Sequence, residues 1–157
     1  MMLRPAHFSE AQSLAEMSRE LIEAGLDWRY TPRRLAALIN HRETVVLVAI
    51  EPSRIQGFAA MQFGDERAHL SLLCVQRDRQ RRGIGRRLHE WLLESARVAG
   101  IAAVELELRA DNAAAHSFYR SAGYSETGLV PGYYDGQIAA RRMVLRLRQE
   151  ASAPRGG

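Results

Sequence analysis

Gly83 and Gly85 open an apparent helix directly after an apolar strand, and six arginines stand between Arg77 and Arg87. A helix start exposes backbone N–H groups and the positive end of the peptide dipole, and glycine lets a phosphate approach that backbone closely. The segment is therefore an anion cradle. It lacks the Gly-Lys-Ser/Thr ending of a nucleotide-hydrolase loop, and Leu88 stands where a dinucleotide fingerprint needs a third glycine. Downstream, Glu105, Glu107 and Arg109 alternate with Val104, Leu106 and Leu108, so two carboxylates share the polar face of one strand. Tyr119 follows on a short helix. Cys74, the only cysteine, sits inside an apolar strand and reads as a buried core residue, and the five histidines lack ligand spacing, so no metal site is expected.

These residues need elements to hold them. Leu3 begins a short strand, and Ser9 with Gln12 suggests a capping box for a helix to about Ile22. Thr31-Pro32 supplies an N-cap and first-turn proline for a second helix through Ile39. Val45 to Glu51 and Arg54 to Phe63 form a hairpin around Pro52-Ser53, joined by a strand from Ala68 to Val75. The period then changes, with Ile84, Leu88, Trp91 and Leu92 at helical spacing over about Arg82 to Ala99, stopped by Gly100. Ala103 to Arg109 is a strand, Asp111-Asn112 caps a helix ending at Gly123, and strands at Tyr124 to Val130 and Ile138 to Leu147 close around Pro131-Gly132. The order predicts an α/β (α+β) domain with about seven strands and about four helices.

The chain has 157 residues and suits one domain over 1–148, with 149–157 read as a disordered tail from its Ala, Ser, Pro and Gly content. No apolar run approaches a membrane span and no leader pattern opens the chain, which places it in the cytoplasm with no membrane partner. All 22 basic residues are arginine, so a lysine nucleophile is excluded while phosphate binding is favoured. No aromatic residue interleaves the arginines from Arg77 to Arg87, which argues against nucleic acid.

The spacing Gln80-x-x-Gly83-x-Gly85 after a strand, followed by Leu106 to Ala115, Phe118-Tyr119 and Ala122-Gly123-Tyr124, resembles the GNAT superfamily of N-acetyltransferases. Within it, Leu72 to Tyr124 is most similar to the ribosomal-protein-alanine N-acetyltransferase branch. The resemblance implies a mixed, splayed sheet with acetyl-CoA as cosubstrate and direct transfer of acetyl to a primary amine, either a protein N-terminal α-amine or a small molecule. It implies that Leu73, Cys74 and Val75 offer backbone groups to the pantetheine arm. It further implies that Arg81, Arg82, Gly83, Ile84, Gly85 and Arg86 hold the pyrophosphate, that Asn112 bonds the pantetheine, and that Glu107 is the general base and Tyr119 the general acid. The choice of Glu107 over Glu105 rests on that alignment. Tyr133-Tyr134 and Asp135-Gly136 follow the branch's pattern, but Gln137-Ile138-Ala139 stands where it carries acidic residues. Asp27, Trp28, Arg29 and Tyr30 form a polar-aromatic cluster that either lines the acceptor pocket or packs its tryptophan inward. Such folds commonly dimerise through the C-terminal strands, which leaves a homodimer open. The alternative function is a non-catalytic acyl-CoA sensor that keeps the cradle without the chemistry.

Overall fold

The computed structural model describes residues 1–148, so the expectation of a disordered tail lies outside the described residues. In chain order the elements are β1 (Met2–Pro5), α1 (Ala11–Leu21), α2 (Pro32–Asn40), β2 (Thr44–Ile50), β3 (Ile55–Phe63), β4 (Arg67–Val75), α3 (Ile84–Val98), β5 (Ala103–Arg109), α4 (Ala113–Ser121), β6 (Ser125–Tyr134) and β7 (Ile138–Arg146). The strands make one mixed sheet in the order β1-β2-β3-β4-β5-β7-β6. Only β4 and β5 pair in parallel. The predicted architecture holds.

Each face of the sheet buries its own core. On one, Leu14, Ala15 and Leu35 from α1 and α2 pack against Val46, Val48, Phe58 and Ala60. On the other, Ile84, Leu88, Leu92 and Ala96 of α3 pack against Leu47, Ala59, Met61 and Val104. Alternation from Val46 to Ala49 on β2 and from Phe58 to Met61 on β3 feeds both cores, which is why these stretches read as continuous apolar runs.

On β4 the alternation breaks. Ala60 faces Leu72 and Met61 faces Leu70, so Ser71 is an extra residue in the ladder. Ala68 and Leu70 therefore join the α3 core whereas Leu72 and Cys74 join the α1/α2 core. Such a bulge bends the strand that carries it. The parallel pairing with β5 covers only Arg67, Ala68 and His69 against Ala103, Val104 and Glu105. Beyond those registers the two strands part, while β5 stays paired to β7 over its whole length. The result is a V open between the end of β4 and the end of β5.

Four local expectations change. A short 3-10 turn at Phe8–Glu10 precedes α1, and the carboxylate that accepts a backbone N–H there is Glu10, from His7 at 2.7 Å, in place of the Ser9/Gln12 box. α3 begins at Ile84 because Arg81 and Gly83 have φ of 64° and 81°, left-handed values that a right-handed helix cannot contain. Trp91 stands 38% exposed, and the buried stripe runs through Leu88, Leu92, Leu93 and Ala96 instead. Pro131-Gly132 lies inside β6 at an irregular stretch of its ladder, and the reversal falls at Asp135-Gly136, both with positive φ. Proline donates nothing to a ladder, so the irregularity accommodates it.

Candidate active site

The β4 terminus runs into the loop that opens α3. The Gln80 amide donates to Val75 O at 3.1 Å and folds the loop back onto the strand end. Arg81 and Gly83 then alternate left-handed with their neighbours, a geometry that gathers backbone N–H groups into a concave nest. Gly83 is the N-cap of α3 and no side chain caps the helix. The earliest return bond joins Arg87 N–H to Gly83 O, so the N–H groups of Ile84, Gly85 and Arg86 precede the helical ladder and point outward. A Cβ on Gly83 would meet nothing within 4 Å, so it is the left-handed φ of 81°, and not crowding, that favours glycine there. Gly85 lies over Phe118 and Val75 at ordinary contact distance.

The main chain of β4 offers alternate residues to the V. Gln76 N–H bonds Gln56 O at 2.8 Å on the β3 side. Antiparallel alternation then turns Cys74 toward β3 and leaves the N–H and C=O of Leu73 and Val75 facing the gap. The Cys74 side chain is buried at 8% exposure, and burial raises its thiol well above the ordinary range, which keeps it unreactive.

A cleft of about 260 Å³ fills the V beneath the α1–α2 loop and the β6–β7 turn. Glu107 and Tyr119 both line it. Glu105 does not, being held on the exposed sheet surface in an ion pair with Arg67. The structure thus separates two carboxylates that the sequence left equivalent. Glu107 is hydrogen-bonded by His69 Nε2 at 2.5 Å and lies 3.6 Å from Arg142 Nε. The His69 bond, aided by the Arg142 charge, holds the Glu107 carboxyl below the usual carboxylate range although desolvation pushes the other way. Tyr119 is 9% exposed and packs edge-on against Phe118, Tyr124 and His89. Burial raises its phenol well above the ordinary value, so it keeps its proton at any working pH. Asn112 also lines the cleft, and its Oδ1 caps α4 by accepting Ala115 N–H at 3.0 Å, which leaves its amide N–H₂ as a separate donor.

The GNAT acetyltransferase domain model matches residues 13–147. The chain belongs to the GNAT acetyltransferase family. It is 38% identical over 95 residues to the [ribosomal protein bS18]-alanine N-acetyltransferase of Escherichia coli K12, covering 59% of this chain and 64% of that one. The chain thus spans under two thirds of the length of the curated relatives it matches. The crystal structure of the E. coli ribosomal-protein-S18-alanine N-acetyltransferase superposes with a TM-score of 0.83 at 25% identity, covering 96% of each chain. The structure of yncA from Salmonella typhimurium with its cofactor acetyl-CoA shares the fold, with a TM-score of 0.80 at 22% identity and 99% of each chain covered.

Several residues that line the cleft had no signal in the sequence as site residues. His69 and Ser71 were scattered polar residues in an apolar strand, and only the β4–β5 register sets His69 beside Glu107. Asp135 accepts Asp27 N–H at 2.9 Å and pairs with Arg29 at 3.2 Å, tying the β6–β7 turn to the α1–α2 loop. Glu23, 7% exposed, organises that loop by accepting from Ser18 Oγ and from Arg29 and Tyr30 N–H. In the Asp27 to Tyr30 cluster, Asp27, Arg29 and Tyr30 line the cleft while Trp28 turns inward and donates to Ala15 O.

Proposed function

We propose that this chain is an acetyl-CoA-dependent N-acetyltransferase of the cytoplasm whose acceptor is the α-amine of a protein N-terminus. The observation that carries the reading is the open V itself. It has main chain without a strand partner on one wall, an anion nest at its mouth, and a carboxylate and a phenol with opposite proton preferences facing its interior. The nest from Arg81 to Arg86 fits a pyrophosphate, the edge at Leu73 and Val75 fits an amide-bearing arm, and Asn112 adds a donor further in. Bound acetyl-CoA supplies the acetyl thioester. Glu107 stands on the base side of the transfer and remains ionised, while Tyr119 holds the proton that a departing thiolate needs. A carboxyl held below its usual range gives only modest help on the base side, directly or through its His69 partner, which suits an α-amine titrating near ~8 better than a lysine amine near ~10.4. The naming of the E. coli and Salmonella relatives as ribosomal-protein alanine acetyltransferases supports the same acceptor class.

The test is release of free thiol from acetyl-CoA over a panel of alanine-initiated peptides, free amino acids, polyamines and aminoglycosides, with Tyr119→Phe alongside. Turnover on peptides with kcat reduced about 100-fold in Tyr119→Phe, and coenzyme KM unchanged, is the expected result. Turnover confined to small amines would overturn the acceptor. Coenzyme binding without turnover on any amine would identify the chain as a sensor.

A further inference from the structure

The polar groups behind Glu107 form a directed chain. Gln62 Nε2 donates to Ser71 Oγ at 2.9 Å, and Ser71 Oγ lies 3.0 Å from His69 Nδ1. His69 Nε2 lies 2.5 Å from Glu107 Oε2. An amide nitrogen can only donate, so Gln62 occupies a lone pair of Ser71 and leaves the hydroxyl proton for His69. Nδ1 of the neutral ring is then the acceptor and Nε2 carries the proton given to Glu107. His69 and Ser71 both line the cleft, and Ser71 is the bulged residue of β4. The Glu107 carboxylate has one oxygen engaged by His69 and the other facing Arg142. Nδ1, reached through the Ser71 hydroxyl, is a proton site of this relay that opens toward the cleft.

We infer that Ser71 and His69 carry away the proton of the acceptor amine, with Glu107 acting through His69 as its counter-ion. This deepens the proposed function and rests on it. As the amine lone pair forms the C–N bond and the C–S bond breaks, the pair left on sulfur takes the Tyr119 proton. The surplus N–H proton passes to Ser71 Oγ while the Ser71 proton moves to His69 Nδ1. The products are the amide, the thiol, a Tyr119 phenolate and a His69 imidazolium paired with Glu107. Solvent water then returns a proton to Tyr119 and accepts one from His69.

The experiment compares His69→Gln, His69→Ala, Ser71→Ala and Glu107→Gln in acetyl-CoA turnover with an alanine-initiated peptide, beside ¹⁵N spectra of the histidine-labelled full chain. His69→Gln keeps a donor for Glu107 but cannot accept a proton, so a role confined to holding Glu107 would survive it. Expected are a kcat reduced about 100-fold in His69→Gln with coenzyme KM unchanged, partial recovery of His69→Ala by added imidazole, and a neutral ring protonated at Nε2. Ser71→Ala should lower kcat in the same direction. Activity of His69→Gln within about fivefold of wild type, or a ring protonated at Nδ1, overturns the relay and leaves the proposed function standing. A wild-type protein that binds coenzyme yet acetylates no amine overturns both.

Discussion

His89 is 2% exposed beneath Tyr119, with Nε2 2.8 Å from the Tyr124 hydroxyl. Burial, with a smaller contribution from the Arg97 charge, pushes its imidazole down to about 4. An unfolded chain would bind that proton near ~6.5, so between the two values the unfolded state holds more protons and stability falls as pH is lowered. The loss attributable to His89 should reach about 2 kcal/mol by pH 5, and His89→Gln should remove it. Unfolding midpoints of both proteins at pH 7 and pH 5 check this, since parallel acid losses would show that His89 is not the titrating group. The same environment that keeps His89 neutral keeps Tyr119 protonated, whereas Glu107, in the same cleft as Tyr119, is held ionised by His69 and Arg142. Proximity in the cleft therefore yields a donor and an acceptor because their immediate partners differ.

Among the elements, β4 decides the site. Its bulge at Ser71 turns the strand away from β5, and its far edge depends on Gly57 of β3, where a Cβ would stand 2.8 Å from Cys74 O. The Cβ is fixed to paired backbone and Cys74 O belongs to it, so neither can swing aside. Gly57→Ala should cost about 2 kcal/mol through that overlap and weaken coenzyme binding by shifting Leu73 to Val75. A lower urea midpoint at unchanged slope, with raised coenzyme KM, is the expected pair of results; an unaltered KM would show that the strand edge does not hold the coenzyme.

Across the molecule, elements distant in sequence close one side of the cleft, the side the proposed function gives to the acceptor. Asp135 joins the β6–β7 turn to the α1–α2 loop, and Arg109 at the end of β5 donates to Ala24 O at 2.7 Å in the same loop. The loop is thus held from two strands while Glu23 holds it from within. Asp135→Ala should release the turn and raise the acceptor KM about tenfold, the loss of one charged hydrogen-bonded contact, while coenzyme KM stays put. Steady-state kinetics with each substrate varied in turn separates these effects. A change in coenzyme KM alone would place the contact outside acceptor binding.

The sequence by itself determined the element order and the glycine-rich start of α3, because those depend on local periodicity, on capping residues such as Thr31 and Asn112, and on glycines whose backbone freedom is a local property. It also set Glu105, Glu107 and Arg109 on one strand face. Only the tertiary structure set Glu107 in the cleft and left Glu105 on the exposed surface, since that placement depends on where β4 stops pairing with β5. His69, Ser71 and Asp135 likewise gained partners only through tertiary contacts. Their contacts join residues 38, 9 and 108 positions apart or bridge a bulge, and register between strands is fixed by the packing of both cores rather than by any local pattern.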